Sequence, residues 1–223
     1  MADRLDSTEA PLDRCRIVLA VPPLGDAADA VRQALSGGDV ASLIVARGEL
    51  DAAAYQHHAQ AMVEASKDHG AAVLVEADSQ VMGRSNADGM MIGGDAKTLA
   101  EATARFSPKK IVGYGPVKSR HQAMEAAEAG PDFLFIGKLD GDIRPEPHPK
   151  NLGLGEWCAS VMQIPVLVMA GSAPQSALDV ARTGADFAVL GLAVFACVDG
   201  PAEAVRKINE ELDRHAPRFA DEG

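Results

Sequence analysis

Short apolar runs recur along the chain, each followed by a turn and then by a stretch with helical spacing. The runs at 16–21, 41–46, 72–76, 89–92, 110–114, 132–137, 165–170 and 187–190 are apolar at odd and even positions alike. That pattern marks strands covered on both faces, as in a parallel sheet. Between them the spacing predicts helices over 26–35, 51–68, 78–82, 96–105, 118–129, 156–162 and 174–183. A closing helix over 201–215 carries Val205, Ile208 and Leu212 on one face. His57 and His58, in the middle of the second helix, are expected to face solvent, and 138–155 reads as one long polar loop.

This alternation, with very short connections, predicts a single-domain (β/α)8 barrel over 15–216, between a loose arm at 1–14 and a loose tail at 217–223. The competing fold is a doubly wound open sheet, but no G-x-G-x-x-G follows the first strand. Internal quasi-repeats support the barrel. The stretches 86–93, 130–137 and 184–191 each place a turn and an aspartate (Asp88, Asp132, Asp186) before a strand and a glycine at its exit.

Composition narrows the function classes. At 223 residues with 47% apolar side chains the chain can bury one full core, and with 4% aromatic residues that core is mainly aliphatic. A net charge of −11 argues against a nucleic-acid or anionic-membrane surface. It leaves room for a phosphorylated small molecule, because a local nest of N–H groups holds phosphate inside a negative protein. The first residues lack a signal-type apolar stretch, no run reaches membrane-span length, and Cys15, Cys158 and Cys197 lie far apart. The expectation is a cytoplasmic protein without disulfides.

In a barrel of this kind the site lies at the carboxyl ends of the strands. The stretch 164–195 supplies two consecutive strand exits with glycine, at Gly171-Ser172 and at Gly191-Leu192-Ala193, which together predict a phosphate cradle. The alternative is that both are ordinary turn glycines. Arg47, Glu76 and Lys138, at the exits of strands two, three and six, are the candidate catalytic side chains; each also suits a rim ion pair. Asp78 and Asp95 are candidate Mg2+ ligands, and each also suits the N-cap of the helix that follows, with the cap slightly preferred. Tyr114, Lys118 and Asp140 also stand at exits, and His148 lies in the long loop. Cys158 near a helix start is either a lowered-pKa thiol or packing, with packing preferred.

The segments LIVAR at 43–47, ADGMMIGG at 87–94, the run 111–137 and the run 164–195 resemble the thiamine-phosphate synthase and TenI-like family of barrels. The resemblance implies a transferase that joins a pyrimidine methyl diphosphate to a thiazole phosphate, with Mg2+ holding the diphosphate that leaves. It puts the thiazole phosphate on Gly171, Leu192 and Ala193, and the family's strand-two arginine on Arg47. Several family side chains are replaced: Val45 and Glu49 flank Arg47 where glutamine and lysine are expected, and Glu76-Ala77-Asp78 stands for Asn-Asp-Arg. The Thr-x-Thr-Lys loop is replaced by Asp140-Gly141-Asp142-Ile143-Arg144-Pro145, with Lys138 and Arg144 the cations nearby. The expected function is therefore thiamine-phosphate-synthase-like. The alternatives are a phosphate-ligand-binding or regulatory barrel without turnover, and a TenI-like thiazole isomerase. The expected partner is a phosphorylated small molecule, not nucleic acid or membrane, and the alanine-rich outer helices suit a homodimer.

Overall fold

A computed structural model describes residues 13–219. Eight parallel strands close into a barrel in chain order: β1 (Arg16–Val21), β2 (Ser42–Val45), β3 (Ala72–Glu76), β4 (Gly89–Ile92), β5 (Ile111–Val117), β6 (Phe133–Ile136), β7 (Val166–Met169) and β8 (Phe187–Leu190). The ring shuts where Arg16 of β1 pairs with Phe187 of β8. The helices around it are α1 (Ala27–Ser36), α2 (Ala52–Ser66), α3 (Ser79–Ser85), α4 (Ala96–Phe106), α5 (Arg120–Glu128), α6 (Pro149–Val161) and α7 (Ser176–Ala181), followed by a single turn α8 (Leu192–Phe195) and the closing α9 (Pro201–His215).

The strand period of two splits the apolar residues into two cores. Val18, Ala20, Ile44, Leu74, Met91, Phe133, Phe135, Leu167, Met169 and Val189 fill the barrel interior. Their sequence neighbours, such as Leu19, Leu43, Val75 and Val168, pack outward under the helices. On β5 the inward positions fall to Gly113 and Gly115. A Cβ at Gly113 would lie 1.9 Å from the Phe133 ring, and one at Gly115 would lie 2.7 Å from Phe135 Cβ. The two phenylalanines of β6 occupy the space these glycines leave.

The structure shifts several element boundaries. The long loop ends at His148, because Pro149 starts α6 and His148 Nδ1 caps it by accepting from the Lys150 N–H at 3.2 Å. Gly155 then falls inside α6, where its missing Cβ lets the helix approach Val168 of β7. α3 runs on to Ser85 and stops at Asn86, which takes a left-handed conformation with φ 60°. β5 continues past Tyr114 to Val117 with a shift of register against β6. The expectation for residues 1–12 and 220–223 lies outside the described residues. Asp13 and Arg14 are bonded into the fold: Arg14 bridges to Arg218, and its buried guanidinium reaches Asp213 at 2.7 Å, Asn209 at 3.1 Å and the Cys15 carbonyl at 2.8 Å.

Candidate functional site

The inward positions at the carboxyl ends of the strands are small or polar: Ala20 on β1, Ala46 after β2, Glu76 on β3, Gly137 after β6 and Gly191 after β8. Small residues there leave a cavity of about 750 Å3 above the last full layer of the barrel. Met91 and Phe135 form its floor with Ala20, while Pro22, Pro23, Leu24 and Phe195 contribute apolar wall. Arg47 and Lys138 are its basic groups and Glu49, Glu76, Asp140 and Asp142 its acidic ones. An apolar chamber with a few convergent polar groups is the usual form of a small-molecule site.

The structure brings Arg47, Glu76 and Lys138 to this one cavity. Glu76 Oε2 accepts from the Arg47 backbone N–H at 2.9 Å, so the exits of β2 and β3 are tied together. The Arg47 guanidinium bonds to the Leu50 carbonyl at 3.3 Å, lies 4.0 Å from Asp78 and sits 5.9 Å above the Tyr55 ring. Tyr55 is fully buried on α2; its hydroxyl donates to the Val45 carbonyl at 2.9 Å and accepts from the Glu76 N–H at 2.5 Å. Burial raises the pKa of this phenol, so it acts as a fixed hydrogen-bonding post beneath Arg47 and Glu76. Tyr55 was not among the predicted site residues. Its signal in the sequence is its position on the face that also carries Ala59 and Met62. Ala77, in a left-handed conformation with φ 51°, turns the chain sharply between Glu76 and Asp78.

Asp78 and Asp95 serve as N-caps. Asp78 Oδ1 accepts from Gln80 and Val81 N–H at 3.0 and 2.9 Å, and Asp95 Oδ1 accepts from Thr98 N–H at 2.8 Å. The Thr98 hydrogen bonds hold the Asp95 carboxyl below its ordinary range. Neither acid lines the cavity. Among the described residues no group of three or more His, Cys, Asp or Glu is arranged to hold a metal ion. Tyr114 also turns away, donating to the Gly94 carbonyl at 2.6 Å. Cys158 lies on the buried face of α6 and burial pushes its thiol up to about 11, the opposite of an activated nucleophile.

The two glycine exits are next to each other, as their sequence positions predict, with the sixth loop lying over them. Ser172 N–H donates to the Arg144 carbonyl at 2.7 Å and Ala173 N–H to the Pro145 carbonyl at 3.2 Å. Gly171 N–H donates to Ser176 Oγ at 3.0 Å, and Leu192 N–H donates to Asp142 Oδ2. Gly191 and Leu192 border the cavity, whereas Gly171, Ser172 and Ala193 do not.

A family profile described as thiamine monophosphate synthase matches residues 18–194. A thiamine-phosphate synthase of Hyphomonas neptunium is 32% identical over 214 residues, covering 92% of this chain and 97% of that one. One from Rhodospirillum centenum is 27% identical over 89% of this chain and 98% of its own. Among solved structures, a thiamine phosphate pyrophosphorylase from Pyrococcus furiosus superposes with a TM-score of 0.73 at 23% identity, over 90% of this chain and 98% of that one. A 3-hexulose-6-phosphate synthase superposes at 0.69 with 21% identity, over 87% and 98%. At these identities the two superpositions speak for the barrel fold alone.

Proposed function

Because the chain belongs to the thiamine monophosphate synthase family, we propose that its mouth cavity binds a small heterocycle of the thiamine-precursor kind. The observation that carries this reading is the roughly 750 Å3 chamber itself: an apolar floor of Ala20, Met91 and Phe135 suits a flat ring, with Arg47 and Glu76 joined at one side of its edge and Lys138 at the β6 exit across from them. In this reading Glu76 accepts from ring amino or N–H groups, while Arg47 and Lys138 are the cavity's donors to ring or side-chain acceptors.

The family's condensation is the second reading, and the opening of one cavity to both exposed Lys138 and half-exposed Arg47 favours it. The two cations would then face the departing diphosphate. Mg2+ belongs to that reading, since it is commonly held by one or two carboxylates together with substrate phosphates. Asp78 and Asp95 are its candidate ligands, although both cap helices and neither lines the cavity, so the described residues do not form a site for the ion. For a thiazole isomerase the acids at the cavity are Glu49, Glu76, Asp140 and Asp142, because His148 is turned to the start of α6.

Incubation of the full chain with pyrimidine methyl diphosphate, thiazole phosphate and Mg2+ separates the readings. Saturable heterocycle binding without thiamine phosphate above the enzyme-free blank is the expected result. Product formation lost in Arg47→Ala and Lys138→Ala would establish the condensation instead.

A further inference from the structure

Asp142 is a carboxylate with 3% exposure at the junction of the cavity and the β8 exit. Its Oδ2 takes the Leu192 N–H, and a Cβ at Gly191 would lie 2.8 Å from that same oxygen. The anion therefore rests directly on the backbone of the exit, and Gly191 is small to admit it. The main chain of the loop continues over the β7 exit: a Cβ at Gly171 would lie 2.1 Å from the Pro145 carbonyl oxygen. Gly171 has no positive φ, so its role is space for this loop. The donors of Gly171, Ser172, Ala173 and Leu192 are all engaged within the chain. A phosphate seated on the same N–H groups would meet both the volume and the like charge of Asp142.

We infer that Asp142 is the chain's own substitute for a ligand phosphate, and that the mouth cavity is built for a phosphate-free heterocycle, neutral or cationic. The inference rests on the reading of the cavity as a heterocycle site. The rest of the lining agrees with it, because Glu49, Glu76, Asp140 and Asp142 outnumber Arg47 and Lys138. Arg47 is also partly compensated by Asp78 at 4.0 Å. A neutral or protonated ring gains from such a lining, and a dianion does not.

The test is calorimetric titration of the full chain with two matched pairs: a hydroxyethyl thiazole and its phosphate ester, and a hydroxymethyl pyrimidine and its phosphate ester. The expected result is that the alcohol of at least one pair binds about tenfold more tightly than its ester. In Asp142→Ala the ester should gain about tenfold and inorganic phosphate should become a competitor. Where truncation disturbs folding, as judged by a thermal melt, Asp142→Asn keeps the acceptor for Leu192 and removes only the charge; the ester's disadvantage relative to the alcohol should then shrink. Esters that bind wild-type protein as tightly as their alcohols or more so overturn the inference and leave the heterocycle site standing. A preference for alcohol that neither substitution moves also overturns it. Failure of all four compounds to bind overturns the heterocycle reading, and the inference with it.

Discussion

His58 is buried on α2 and its Nε2 has no hydrogen-bond partner among the described residues, while the adjacent His57 is exposed. Burial first, and the neighbouring His57 second, lower its pKa from 6.5. In the unfolded chain the imidazole regains its ordinary pKa, so below about pH 6.5 the unfolded state binds the proton that the folded state refuses. The contribution is complete above that pH and is lost as pH falls towards the lowered folded value. The melting temperature should therefore decline between about pH 7 and pH 5, and His58→Leu should flatten that decline. A slope unchanged in the variant would assign the acid sensitivity to other groups. The sequence placed both histidines in solvent because an adjacent pair has no periodicity of its own. The face set by Tyr55, Ala59 and Met62 includes residue 58 and excludes 57. Side chains at strand exits were easier to find, since Arg47, Glu76 and Lys138 follow from strand ends alone.

At the level of elements, the three quasi-repeated aspartates have one shared job. Asp88 Oδ2 accepts from Val73 N–H, Asp132 Oδ2 from Val112 N–H and Asp186 Oδ2 from Val166 N–H, each at 2.7 Å. Each acid thus precedes an even strand and ties down the start of the odd strand before it, at the pole opposite the cavity. The repeat marks register, not chemistry. Val166 is fully buried, so Asp186→Ala leaves its N–H without a partner and should cost about 1–3 kcal/mol in chemical denaturation. Asp186→Asn keeps the acceptor and should cost less; equal losses would point to the charge instead. Strand positions were legible because period two and apolar content both survive in short segments. Loop six was harder: His148 capping α6 and Asp142 reaching Leu192 depend on contacts that local spacing does not encode, the latter between residues 50 apart.

Over the whole molecule, Arg14 adds a side-chain tie to the β1–β8 ladder that closes the ring. Its side chain is 1% exposed and joins the start of β1 to α9 through Asp213 and Asn209, while Asn209 Nδ2 donates to the Asp39 carbonyl at 3.0 Å. Arg14→Met keeps much of the volume but leaves the Cys15 carbonyl and Asn209 Oδ1 short of a donor; about 2–4 kcal/mol should be lost. Equilibrium unfolding in urea with an unchanged slope checks this, and a loss under about 1 kcal/mol would mean that α9 docks by apolar contacts alone. The barrel itself was readable from the sequence, because a count of eight strands alternating with helices leaves few topologies. Both ends of the described chain meet in the same bridge, with Phe219 N–H donating to the Asp13 carbonyl at 2.6 Å and Arg14 opposite Arg218. A ring whose seam is stitched in this way has no obligatory first strand. The gene could be rejoined across residues 13 and 219 and reopened at the exposed Gly130 turn, giving a circular permutant with the same cavity and a different order of synthesis.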